Sequence, residues 1–190
     1  MSLHHPRTTT TTLDPRPLGD DTRHTIAFYQ HWVPDRTVLE LGANPDGPAR
    51  ALAAAGFSVF VVDDSPTAIE YAASMPGAEA VYFVHADLRR ECLEDVFGAV
   101  LVEPSALAQL YTLRAQIELL MTAADHIVDD GVVIIETPTA PVRLGHYYRT
   151  AEFPPLAELD IMAGTADLRL LHRTGGFGGS RTLSVYGLGL

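Results

Sequence analysis

From Thr37 onward, short apolar runs alternate with segments whose apolar residues recur at helical spacing. Val38-Leu39-Glu40-Leu41, Ser58 to Val62, Val81 to Val84, Val100 to Val102 and Val132 to Ile135 read as five strands. They are apolar along nearly their whole length rather than at alternate positions. That is the pattern of strands buried on both faces, and so of a parallel sheet with helices on either side. Ala49 to Ala55, Pro66 to Ser74 and Leu107 to Ile127 read as helices, with Pro48 suited to a first helical turn and Gly56 to a stop. A short helix is expected from about Thr22 to Trp32, ending before Pro34, and another from Pro155 to Ala163. Leu168 to His172 and Thr182 to Tyr186 read as two late strands joined by the glycine-rich stretch Gly175 to Gly179. Consecutive strands of this kind point to an antiparallel addition at a sheet edge. The whole pattern predicts an α/β fold with a doubly wound, mostly parallel sheet, in which ligands bind beyond the carboxyl ends of the strands.

Residues 1–22 break the pattern. They hold five consecutive threonines, Thr8 to Thr12, and prolines at Pro6, Pro15 and Pro17. A disordered leader is expected there, followed by one domain over residues 23–190. A length of 190 residues, 47% of them hydrophobic, fits a single globular domain with a real core. No apolar run approaches the roughly 20 residues that cross a bilayer. No basic segment followed by an apolar stretch opens the chain, so a cytoplasmic protein without membrane association is expected. The single cysteine, Cys92, cannot form an internal disulfide. The formal charge is −11 and all 13 cations are arginine. A net negative surface argues against nucleic acid as the main partner. Arg89-Arg90, the only adjacent basic pair, reads as solvated surface. The eight histidines show no metal-ligand spacing, so no metal is expected.

The chemistry falls at three acidic strand ends. The first is Glu40-Leu41-Gly42-Ala43-Asn44-Pro45-Asp46-Gly47. A glycine directly after a strand lets backbone approach a ligand closely, and the next helix offers N–H groups to a carboxylate or phosphate. The second is Asp63-Asp64-Ser65-Pro66, where Asp63 lies 21 positions after Gly42. An acid there can accept both hydroxyls of a ribose. The third is His85-Ala86-Asp87-Leu88, where an acid could accept from an adenine amino group. Gly42, Asn44 and Gly47 match the dinucleotide spacing G-x-G-x-x-G with asparagine at the second glycine. S-adenosylmethionine (SAM) fits better. An acid at Glu40 can meet its positively charged methionyl amine, and Asp87 has no natural role in a dinucleotide site. Each acid alone could simply cap a turn or helix, but here all three fall at successive strand ends.

On these residues the sequence resembles the class I SAM-dependent methyltransferases, more narrowly the small-molecule tailoring enzymes of bacterial secondary metabolism. The resemblance covers about residues 26 to 188. Val38 to Gly42 and Val62 to Pro66 match the first two motifs, and Ala86-Asp87 the adenine-contacting one. Ala99 to Leu110, Gln116 and Asp129 to Glu136 match the fourth strand, long helix and fifth strand. Phe28-Tyr29 stands where the family often has a tyrosine near the cofactor. The resemblance implies a Rossmann-like sheet of seven strands, the last antiparallel. It implies SAM as cofactor and S-adenosylhomocysteine as product. It implies cofactor contacts from Tyr29, Glu40, Gly42, Asn44, Asp63, Asp64, Ala86, Asp87, Leu88 and Glu103.

Three departures stand out. The family loop reads G-x-G-x-G, whereas here Asn44 and Asp46 replace the second and third glycines. Asn44 tolerates unusual backbone angles. Asp46 puts a carboxylate near the expected methionyl carboxylate, and Gly47 could restore flexibility one residue later. The usual Gly-Gly before the fifth strand is Asp130-Gly131. The β-rich insertion of many relatives is reduced to about residues 137–153, which leaves the site open or completed by another chain.

Methyl transfer from a sulfonium needs positioning more than a nucleophilic side chain. Glu103, after the fourth strand, could orient an amine acceptor or the sulfonium, and His146 is a candidate base. Tyr29, Trp32, Tyr147 and Tyr148 are candidates for pocket walls. Two functions follow. One is a SAM-dependent methyltransferase acting on an O or N atom of a small metabolite. The other is a degenerate methyltransferase-fold protein acting as a non-catalytic partner of another chain. The open site also raises the expectation of a homodimer or a heteromeric partner.

Overall fold

Val38, Leu39 and Leu41 of strand β1 (Thr37–Leu41) have no exposed surface. The strand has a parallel neighbour on each side, β2 (Ser58–Asp63) and β4 (Phe97–Val102). The structure is a computed structural model and describes residues 3–4, 20–90, 93–138, 142–143, 150–151, 153–175 and 181–189. β3 (Val81–His85) continues the sheet beyond β2, and β5 (Ile127–Pro138) continues it beyond β4. β7 (Arg181–Leu188) then pairs antiparallel with both β5 and β6 (Leu168–Gly175). The order is β3-β2-β1-β4-β5-β7-β6, and the segment Leu3–His4 pairs antiparallel with the outer side of β3. A separate pair joins Val142–Arg143 to Thr150–Ala151.

The helices are α1 (Asp20–Trp32), α2 (Ala49–Ala54), α3 (Pro66–Ala73), α4 (Pro104–Gln109), α5 (Leu113–Asp125) and α6 (Leu156–Thr165). Strand side chains alternate between the two sheet faces. Val38, Val59, Val61, Leu101 and Ile134 pack with Tyr29, Val33 and Leu52 beneath α1 and α2. Leu39, Leu41, Val100, Val133 and Ile135 pack with Leu119, Leu120, Leu159 and Met162 beneath α5 and α6. Each strand is therefore apolar at consecutive positions.

The helix expected over Leu107 to Ile127 divides into α4 and α5. Leu110 is extended, and the Thr112 side chain caps α5 by accepting from the Ala115 amide at 3.2 Å. Gln116 donates to the Leu107 and Leu110 carbonyls at the break. β5 runs past its expected Val132 to Ile135 core because β7 pairs with it as far as Pro138. The expected leader over residues 1–22 and the stretch 176–179 lie largely outside the described residues, as does Cys92. Among the described residues, no helix is long and apolar enough to cross a membrane.

A charged network locks α6 to the sheet. Arg173 of β6 donates to both carboxylate oxygens of Asp160 (2.6 and 3.1 Å) and to Ser184 Oγ (2.9 Å). The Tyr186 hydroxyl donates to Asp160 Oδ1 at 2.7 Å and accepts from Arg173 at 3.0 Å. Tyr186→Phe removes both of these bonds to charged partners. The expected cost is about 1–2 kcal/mol, a fall in Tm of roughly 2–8 °C by calorimetry for a chain of this size. Its bond to Arg173 holds Asp160 below the usual aspartate range. That stabilisation is present above the ordinary aspartate pKa and is lost as pH falls, so the Tyr186→Phe deficit should narrow in acid.

Candidate functional site

The alternation that splits the core also gathers the acids. Val38 and Glu40 share a face, as do Leu101 and Glu103, and Ile134 and Glu136. The apolar partner in each pair belongs to the core beneath α1 and α2. The three glutamates therefore meet on that face, at the carboxyl ends of β1, β4 and β5. Arg181 opens β7 two residues before Leu183, which pairs in register with Glu136. Its Nη1 donates to Glu136 Oε1 at 2.6 Å. Tyr29 of α1, 3% exposed, lies against the same group.

The loop after β1 is tied to its neighbours by backbone. The Gly42 amide donates to the Val62 carbonyl (2.8 Å), the Ala43 amide to Asp63 Oδ2 (2.7 Å), and the Glu103 amide to the Leu41 carbonyl (3.0 Å). Gly42 has φ +108°, and a Cβ there would stand 2.9 Å from Glu103 Cβ and 3.0 Å from Ala106 Cβ. Any side chain at this position would be both strained and blocked. The Asn44 amide nitrogen donates to Glu103 Oε2 at 2.8 Å, and its oxygen accepts from the Asp46 amide at 3.0 Å.

Two expectations about this loop change. Asn44 is not in a left-handed conformation, so its use lies in its side-chain bonds rather than its backbone tolerance. Gly47 supplies space rather than flexibility: its φ is not left-handed, but a Cβ there would stand 3.1 Å from Glu40 Oε1, Glu103 Oε1 and the Asn44 carbonyl alike. Asp46 is exposed, and its charge acts on Arg181.

Glu40 is fully buried, and among the described residues neither of its carboxylate oxygens has a hydrogen-bond partner. Burial pushes its pKa well above the ordinary glutamate value, and the neighbouring Glu103 adds to the rise. The Asn44 and Ala49 amides lie near enough to oppose it without meeting hydrogen-bond geometry. Glu103, 3% exposed, is pushed by burial to about 7, with its Asn44 bond pulling the other way. Leaving a buried acid without partners costs free energy that the rest of the fold must offset. A cationic ligand would supply the missing partners.

Asp63, at the end of β2, accepts the Ala43 amide on one oxygen and the Ser65 amide (2.7 Å) on the other. Each oxygen retains a lone pair for a ligand hydroxyl. Partial burial raises its pKa. Asp64 is exposed, and its carbonyl meets His85 Nε2 at 3.0 Å. Ala86 is half-buried and Leu88 buried after β3. Asp87 between them is bound by Arg89 (3.2 Å) and Arg90 (3.3 Å), so the basic pair read as plain surface clamps the third acid. These are exposed pairs, worth about 0–1 kcal/mol each.

The strand order and the antiparallel β7 match known structures. The CcbJ methyltransferase from Streptomyces caelestis superposes with a TM-score of 0.74 at 21% identity, over 90% of this chain and 91% of that one. The chain has the class I methyltransferase fold. The glycopeptide N-methyltransferase MtfA, solved with S-adenosyl-L-homocysteine, matches this methyltransferase-fold chain with a TM-score of 0.69 at 14% identity, over 93% and 90% of the two chains. An amino pentose methyltransferase from Micromonospora echinaspora, solved with SAM bound and involved in calicheamicin biosynthesis, matches at 0.68 and 15%, over 88% and 90%. No protein-family model and no curated protein matches the sequence.

The fold thus brings together Tyr29, Glu40, Gly42, Asn44 and Glu103, with Asp63 linked to them through the Ala43 amide. Asp64, Ala86, Asp87 and Leu88 lie at the next strand ends. His146, Tyr147 and Tyr148 lie outside the described residues. Trp32 stacks on His172 of β6, centroids 5.6 Å apart. Buried His126 is held by Thr122 and Leu93. Sequence reasoning missed Glu136 and Arg181 as site residues. Counting by twos from Ile134 and Leu183 would have placed both on the acidic face.

Because Glu103 holds its proton more tightly folded than unfolded, the folded chain binds more protons between pH 4.5 and about 7. Stability contributed by this group is full at low pH and is lost as pH rises through that window. Glu103→Gln keeps an acceptor for Asn44 and removes the charge. It should raise stability at pH 8 by about 1–3 kcal/mol and flatten the fall in Tm between pH 5 and 8. A variant with lower Tm at pH 8 and an unchanged slope would contradict this account of the site.

Proposed function

We propose that the chain is a SAM-dependent methyltransferase acting on an O or N atom of a small molecule. The observation that carries this reading is Glu40, buried with both oxygens unpartnered beside the side-chain-free turn at Gly42. The methionyl amine is the cation that would satisfy it. Gly42 would admit the cofactor's close approach to backbone, with Tyr29 and Asn44 bordering it. Asp63 would accept from the ribose hydroxyls, and Asp64 would border the ribose. Ala86 and Leu88 would flank the adenine, with Asp87 accepting from its amino group once released by Arg89 and Arg90. When bound, the cofactor would supply an electrophilic methyl group on sulfur. Glu103 would face the acceptor, and His146 is the second candidate for proton removal.

The similar structures support the same reading by what they hold. One is solved with S-adenosyl-L-homocysteine and one with SAM. The alternative reading, a non-catalytic partner in a homodimer or with another chain, draws on Asp46 in the loop and on the Arg89–Asp87–Arg90 clamp.

Titration calorimetry with SAM and S-adenosylhomocysteine tests both readings. The methyltransferase reading expects binding in the micromolar range. Asp63→Ala, which removes two charge-assisted hydrogen bonds to ligand, should weaken it by about 100-fold. Asp63→Asn, which retains one acceptor oxygen, should lose less. A folded chain that binds neither ligand would overturn the cofactor reading and favour the non-catalytic partner.

A further inference from the structure

We infer that the acceptor is a cationic amine, recognised by the carboxylates of Glu103 and Glu136 on the α1/α2 face of the sheet. The inference rests on the cofactor reading above and deepens it.

The first argument is a charge count. Glu40, Glu103 and Glu136 gather where β1, β4 and β5 end, and the only cation bonded to any of them among the described residues is Arg181. A methyl donor with one ammonium, one sulfonium and one carboxylate brings a single net positive charge. With the methionyl ammonium placed at Glu40 and Arg181 bonded to Glu136, Glu103 is the acid left without a cation. An acceptor ammonium balances it, whereas a neutral hydroxyl does not and a phenolate makes it worse.

The second argument is hydrogen-bond capacity. Both Glu40 oxygens are buried and unpartnered, and Oε1 of the adjacent Glu103 accepts no hydrogen bond among the described residues. A Cβ at Gly47 would stand 3.1 Å from both Oε1 atoms, so the two acids face the same bare position. One ammonium, the methionyl amine, can serve Glu40. A second N–H donor is needed at Glu103.

The third argument is the proton. An ammonium must lose a proton before its nitrogen can accept a methyl group. The N–H bond breaks, the electron pair stays on nitrogen, and the proton forms an O–H bond with the Glu103 carboxylate. A carboxyl raised to about 7 by burial is matched to that transfer near neutral pH. Arg181 stays bonded to Glu136 at 2.6 Å, on the same face as Glu103.

The test uses three ligands on the full chain, measured by calorimetry at pH 8. S-adenosylhomocysteine has no cation at the transfer point, SAM has a sulfonium without N–H donors, and sinefungin has an ammonium there. Amine recognition expects sinefungin to bind about tenfold or more tightly than SAM. Glu103→Gln should bring sinefungin to the level of SAM while S-adenosylhomocysteine binding changes little. Glu136→Gln should lower the sinefungin preference in part. Binding of SAM and S-adenosylhomocysteine with no preference for sinefungin would overturn the amine assignment and leave the methyltransferase reading standing. Binding of none of the three would overturn both.

Discussion

The carboxyl ends of β1, β2 and β4 are knitted together by three short bonds that backbone amides donate around Gly42: Gly42 to the Val62 carbonyl, Ala43 to the Asp63 carboxylate and Glu103 to the Leu41 carbonyl. The rest of the site depends on this knot. It fixes where Glu40, Asp63 and Glu103 stand without spending their own carboxylate oxygens on one another. Position is set by the sheet and turn, so the acids are left able to bind something else. A side chain at Gly42 would push against Glu103 Cβ and Ala106 Cβ and pull the strand ends apart.

The two faces of the sheet treat charge in opposite ways. Beneath α6, Arg173, Asp160, Tyr186 and Ser184 satisfy one another, with Asp160 held ionised by its arginine. Beneath α1, among the described residues, Arg181 is bonded to one of three glutamates, Glu136, and Glu40 has no hydrogen-bond partner. The first arrangement adds stability and closes the fold. The second subtracts stability and keeps a place for a ligand. The apolar layers on both sides of β1, β4 and β5 are what hold the unfavourable face in position.

Much of this was legible in the sequence because it follows from periodicity. The consecutive apolar residues of β1, β4 and β5 specified strands covered on both faces, and Glu40, Asp63, Asp87 and Glu103, at or just after strand ends, marked the ligand side. Helix boundaries were less legible where side chains decide them. The break between α4 and α5 depends on Thr112 and Gln116 capping groups that a purely apolar count cannot see. Arg181 and Glu136 were missed because their meaning comes from the pairing of β7 with β5, a contact across 45 residues. Asp87 could be located but not its ties to Arg89 and Arg90, since nothing in the spacing says which way two adjacent arginines turn.

Gly47 carries a different lesson. The family loop resembled by this sequence ends on a glycine one place earlier, where this chain has Asp46. The structure puts the bare position between the Oε1 atoms of Glu40 and Glu103, each 3.1 Å from where a Cβ would be. The demand for an absent side chain is thus made by the pair of acids and not by a fixed place in the loop. Both carboxyl groups face the place where a side chain at position 47 would stand, and glycine leaves that place empty. The shape that a ligand meets here is defined as much by the atoms left out at Gly47 as by the carboxylates on either side of it.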